Sequence, residues 1–121
     1  MSIRTVYSNK EKVSSDTIIE SGVLTINGGL GSFFEIEMTE NITELVFSNI
    51  PTEYHYIADI RFVQDTTGGW SIDFSSTNVV WDNNSEPVLP ATANTFNNLV
   101  FDTNDGILFL GLPVALEVPI A

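Results

Sequence analysis

The chain has one histidine, no cysteine and 16 carboxylates from which a reaction could be built. A Ser-His-acid triad would have to use His55, which sits between Tyr54 and Tyr56 in "EYHYI". No serine stands in the strained strand-to-helix elbow that such a nucleophile needs. A lone imidazole at the start of a strand reads as a packed or surface residue rather than a base. Zinc asks for three or four His or Cys ligands, and one is present. Asp59 and Asp73 point outward on neighbouring segments and could face each other across a reversal, as glycoside hydrolysis requires. Acids on the polar side of a sheet are also its ordinary condition. Calcium would want the oxygen-rich stretches "DTNDG" at 102–106 or "WDNNSE" at 81–86. Neither has the full D-x-D-x-D-G spacing, and Asx-rich turns form without metal. No catalytic residue, metal or cofactor is expected.

Aromatic rings could stack on a sugar, with Trp70, Trp81, Tyr54 and Tyr56 as candidates. Trp70 shares the phase of Ile72 and Phe74 and reads as core. Trp81, beside Asp82, Asn83 and Asn84, is the ring expected at the surface, and these four residues form the candidate loop contact. Two glycine-rich stretches, "NGGLGS" at 27–32 and "QDTTGGWSIDF" at 64–74, resemble ligand loops only superficially. A phosphate loop needs a lysine after its glycines and then a helix. Here a tryptophan and an alternating segment follow. Gly68 and Gly69 therefore read as a hairpin reversal, since glycine supplies the positive φ of tight connections.

The segments that would position these residues have the two-residue period of strands. In "YIADIRFV", Tyr56, Ala58, Ile60 and Phe62 share one face while Asp59 and Arg61 share the other. "FFEIEM", "TELVF" and "WSIDF" repeat the pattern, and "NNLVFD", "ILFLGL" and "PVALEV" follow. No segment carries a sustained helical repeat, and Gly, Asn, Asp and Pro clusters divide the runs at short intervals. The pattern predicts an all-β fold, an antiparallel β-sandwich of jelly-roll type with about eight strands. The last segment, "LGLPVALEVPIA", alternates Val114, Leu116, Val118 and Ile120. It is either a final core strand or a strand that pairs with a neighbouring subunit.

A length of 121 residues predicts one domain. No run approaches the roughly 20 apolar residues that cross a bilayer, and a basic segment followed by an apolar signal region is missing, so the chain reads as soluble, unprocessed and not membrane-bound. The formal net charge is −12, which would repel a phosphate backbone and excludes nucleic acid as an expected partner. Three of the four basic residues, Arg4, Lys10 and Lys12, fall in the first twelve positions, opposed only by Glu11. With Ile3, Val6 and Tyr7 they make this leader either a solvated terminus or an arm that docks on an acidic neighbour such as another copy. The expected division is an arm over residues 1–15 and a β-sandwich over 16–121.

The order "QDTTGGWSIDF", "VVW" at 79–81, "EPVLPATAN" at 86–94 and "NLVFDTNDGILFLG" at 98–111 resembles a β module that recurs in bacteriophage virion proteins. The likeness covers roughly half the chain, within residues 42–111 at most, and its elements are turn and core residues. It implies a shared fold and virion membership, and it transfers no catalytic residue. By analogy with phage decoration and fibre proteins, the resemblance implies symmetric self-association, most simply a trimer. One expectation is a capsid decoration or cement protein on the virion surface, assembled in the host cytoplasm, that binds the major capsid protein and clamps neighbours with Ile3, Arg4, Val6, Tyr7, Lys10 and Lys12. The alternative is a tail-fibre or baseplate receptor-binding module whose loop at 82–86 touches a host glycan. Length favours the cement role.

Overall fold

A computed structural model describes residues 13–14 and 17–120. The leader residues Ile3, Arg4, Val6, Tyr7, Lys10 and Lys12 lie outside these. The described residues form strands β1 (Val13–Ser14), β2 (Val23–Asn27), β3 (Phe33–Met38), β4 (Glu44–Ser48), β5 (Tyr56–Gln64), β6 (Val79–Trp81), β7 (Thr95–Thr103) and β8 (Phe109–Pro119). Single turns of 3-10 helix cover Gly28–Leu30 and Asp82–Asn84. The protein is all-β with two sheets: a six-stranded sheet in the order β1-β3-β5-β7-β8-β6, and a two-stranded sheet of β2 and β4.

The direction of the strands corrects the antiparallel expectation. β1 pairs parallel with β3, β3 with β5, β2 with β4 and β6 with β8; only β5–β7 and β7–β8 are antiparallel. From β1 to β5 the chain passes alternately from the large sheet to the small one, so each strand returns beside its predecessor in the same sense. Val13 pairs with Phe33 and Val23 with Glu44, a winding of about twenty residues per coil. Side-chain alternation reveals which face of a strand is buried but not whether the chain reverses or circles before the next strand. The mixed sheet therefore departs from the antiparallel pairing on which a jelly roll is built.

The reversal at Gly68 and Gly69 is a second correction. Both glycines have positive φ, +69° and +85°, so the turn is real, yet the segment after it does not pair with β5. Both edges of β5 are already taken, by β3 and β7. "WSIDF" instead crosses to Ile42, which donates its N–H to the Ser71 carbonyl and accepts from Asp73 N–H. The turn is held by side chains. The Gln64 amide, almost fully buried, donates to the Trp70 carbonyl and accepts from Trp70 N–H. Asp65 Oδ1 accepts from Thr67 N–H, Gly68 N–H and Trp70 Nε1.

Both sheets contribute to one hydrophobic core. Leu24, Ile26 and Leu45 from the small sheet meet Phe34, Ile36, Ile60, Phe62, Leu99 and Phe101 from the large one. Phe101 lies within 5.6–5.9 Å, between centroids, of Phe47, Phe74 and Trp81, while Phe47 stacks on Phe109 at 4.2 Å. Such ring pairs add about 0.5–1.5 kcal/mol beyond their area burial. Among the described residues every buried side-chain nitrogen or oxygen has a hydrogen-bond partner.

β8 does not keep one phase. Its pairing with β7 slips twice, between Phe96 and Asn98 and again between Asn98 and Leu99, and Glu117 sits at φ +53°. The buried Asn97 side chain fills the irregularity, accepting from Glu117 N–H and donating to the Pro90 carbonyl. Val114, Leu116 and Ile120 are consequently exposed rather than packed as a last core strand. β6 covers β8 only at Phe109, Leu110 and Gly111. Beyond that, Pro113, Pro119 and the bulges blunt the open edge, since proline presents no N–H and bulges spoil strand addition.

Candidate interaction face

The residues that could have carried chemistry are dispersed. His55 Nε2 lies 2.5 Å from Asp102 Oδ1, with the ring exposed. Among the described residues no group of three or more His, Cys, Asp or Glu side chains is placed to hold a metal ion. Asp59 and Asp73 are not partners across a hairpin: Asp59 accepts from Asn98 Nδ2 on β7, while Asp73 accepts from Ser75 N–H in the crossing segment. In "DTNDG" Asp102 faces His55, and the oxygens of Thr103 and Asp105 close the turn itself. Asp105 Oδ1 accepts from Ile107 and Leu108 N–H, and Thr103 Oγ1 accepts from Gly106 N–H.

Trp81 corrects the surface-ring expectation. It is 8 % exposed, edge-on to Phe74 and Phe101, and its ring takes the space a side chain at Gly111 would fill. Asp82, Asn83 and Asn84 are exposed, so the loop lacks the aromatic surface expected of a sugar platform. Trp70 is half-buried against the core, and Tyr56 is buried with its hydroxyl donating to the Gly31 carbonyl. Tyr54 is exposed.

Three aspartates are held below the ordinary carboxylate range by hydrogen bonds to their charged form. For Asp65 the leading cause is Gly68 N–H, then the Trp70 indole. For Asp73 it is the Ser75 side chain, and for Asp105 it is Ile107 N–H, then Leu108 N–H. A carboxyl more acidic when folded than unfolded contributes stability that is full above its unfolded pKa and is lost as pH falls through the folded one. Thermal unfolding midpoints should therefore be level from neutrality to about pH 5 and fall progressively below about pH 4. In Asp65→Asn the acid-side fall should be shallower, as followed by circular dichroism across the same pH series.

What the fold does bring together is the outer face of the large sheet. Pairing aligns Val80, Leu110, Asp102 and Ile57 in one row across β6, β8, β7 and β5. The next row is Leu112, Val100, Asp59 and Phe33, reaching β3. Val80, Leu110 and Ile57 are 43 %, 41 % and 43 % exposed, although a two-sided reading of their strands would have put polar residues there. Both acids in these rows are engaged, Asp102 by His55 and Asp59 by Asn98. This end of the face is therefore apolar with its charges tied, the character of surfaces that meet another protein.

Further along the same face the rows become Ala115, Asn98, Arg61 and Glu35, then Val118, Phe96, Val63 and Glu37. The Arg61 guanidinium lies 4.1 Å from the Phe96 ring centroid, a cation–π contact of about 0.5–1 kcal/mol at an exposed site. The alternation in "YIADIRFV" already placed Asp59 and Arg61 together. It also puts Ile57 and Val63 on that outer side, which marks the face as mixed rather than solvated.

No family model, curated protein or solved structure matches the chain.

Proposed function

We propose that the protein is a non-enzymatic structural component of a phage virion. In this reading it is a decoration or cement protein that associates with further copies, as a trimer, and binds the major capsid protein on the outer surface of the shell. The two sheets act as the layers of a sandwich, and the large sheet offers its outer face for assembly. The observation that carries the reading is the apolar end of that face, where Val80, Leu110 and Ile57 stand exposed. A surface of net charge −12 disfavours indiscriminate contact between subunits, and low-charge apolar ground is where they can meet specifically. The resemblance to phage virion modules, within residues 42–111 at most, supplies the setting.

The purified protein should bind shells that lack it and raise the temperature at which they rupture. Deletion of residues 2–12, which leaves β1 and the rest of the described fold in the chain, should weaken attachment by at least about tenfold with an unchanged circular dichroism spectrum. Undiminished attachment would remove the leader from the account. No binding to any shell, with binding to host cells or their polysaccharide, would move the protein to the tail.

A further inference from the structure

The far end of the outer face is a cleft of about 770 Å³. Its lining brings Glu35, Glu37 and the Arg61 guanidinium together with Val63, Phe96, Ile18 and Ile120. Ile18 and Ile120 are exposed large apolar residues, so the cleft sets apolar side chains beside the carboxylates of β3, which outnumber the single Arg61 cation. The only ion pair among the described residues is His55–Asp102. Glu35 and Glu37 thus have no cation bonded to them there, and Arg61, the one arginine or lysine of the described chain, lies over Phe96.

We propose that this cleft receives the leader, residues 1–12, of a second copy of the chain, a proposal that rests on the self-association described under the proposed function. The leader has the complementary composition: it holds Arg4, Lys10 and Lys12 against a single Glu11, with Ile3, Val6 and Tyr7 as apolar anchors. Bound in extended form, its two-residue period sets Arg4, Lys10 and Lys12, with Val6, on one side and Ile3 and Tyr7, with Glu11, on the other, so the three cations face one way along a cleft edged by acids. Twelve extended residues reach about 40 Å, enough to span between neighbouring subunits. The direction of β1 selects a neighbour over the same chain. β1 runs parallel to β3 with Val13 opposite Phe33, so β1 begins at the Phe33 end of β3. Glu37 lies about 13 Å farther on in the opposite sense. The leader would have to reverse to reach its own cleft, and need not to reach another's.

Charge exchange between full-length chains tests this. One variant carries Arg4→Glu, Lys10→Glu and Lys12→Glu; the other carries Glu35→Lys and Glu37→Lys, both at exposed positions. In sedimentation experiments the wild type should self-associate, and each variant alone should associate at least about a hundredfold more weakly, because like charges now meet. An equimolar mixture should regain much of the assembly, because leader and cleft are complementary wherever the two variants alternate, although a closed ring of three keeps one like-charged contact. A mixture that stays dissociated, while a chain carrying all five substitutions behaves as wild type, would place the leader in its own cleft and overturn the proposal. So would a monomeric wild type, or variants that assemble undisturbed. Shell binding by the same preparations is scored separately, so loss of the cleft proposal and loss of the decoration reading are distinguishable.

Discussion

Gly68→Val should cost about 4 kcal/mol of stability, a large part of the about 5–15 kcal/mol that holds a domain folded. Two penalties combine. At φ +69° a β-branched residue is strained by about 1–3 kcal/mol. A Cβ there would also stand 2.6 Å from Ala93 N and 2.9 Å from the Ala91 carbonyl oxygen, backbone atoms that cannot swing aside as a side chain would. The chain at 91–94 is fixed in that place by Gly69 N–H donating to the Ala91 carbonyl and Asn94 N–H donating to the Asp65 carbonyl. Gly69 is the internal control. Its φ is +85°, but a Cβ there meets nothing within 4 Å, so Gly69→Ala should show the strain of the left-handed backbone alone, about 1–2 kcal/mol. Urea unfolding of the two variants separates the contributions. Equal losses would mean that the backbone contact at Gly68 is not as close as described.

The second large effect is expected at Phe101→Ala, about 3–5 kcal/mol. Phe101 is fully buried near the C-terminal end of β7. The residues beside it across the sheet are Ala58 on β5 and Gly111 on β8, too small to collapse into the space its ring would leave. The three rings around it, Phe47, Phe74 and Trp81, would each lose a partner. Phe101→Leu should cost about half as much, since most of the volume is restored. Val114→Ala, at a side chain 60 % exposed, should remain within about 0.5 kcal/mol of wild type. Calorimetric midpoints in that order would support the core described; a mild Phe101→Ala would contradict it.

How much of this was legible in the residues differs from strand to strand. For β3 and β5 the alternation gave the buried face correctly, with Phe34, Ile36, Ala58, Ile60 and Phe62 inside, because a half-buried strand writes its environment into every second position. The parallel sense of those strands was not legible in the same way. Its trace is spacing: Gly22 closes against Thr43, Leu24 pairs with Leu45, and Asn49 Nδ2 donates to Asn27 Oδ1, a weak self-similarity about twenty residues apart. "WSIDF" has the phase of a strand without the ladder, since Asn41 accepts from Ser71 N–H and Ile42 provides its single bridge. Trp81 misled because polar residues follow it in sequence. Its burial depends on Gly111, thirty positions later, leaving room for the indole, and such a long-range vacancy has no local signature.

The interaction face was half visible. Asp59 and Arg61 marked an outward side, but the apolar Ile57 and Val63 that flank them in the same phase received no weight. The register that aligns them with Leu110, Val80 and Phe96 is a property of four strands at once. The acidic cleft needed the parallel placement of β3 beside β5, which brings Glu35 opposite Arg61 and Glu37 opposite Val63. An antiparallel pairing would have matched different residues.

The most direct measurement is an image reconstruction of shells saturated with this protein. The account predicts density on the shell exterior in which the outer face of the large sheet, at Val80, Leu110 and Ile57, is covered by a neighbouring subunit or by the shell itself. Density absent from the shell, or attached with that face turned wholly to solvent, would contradict it.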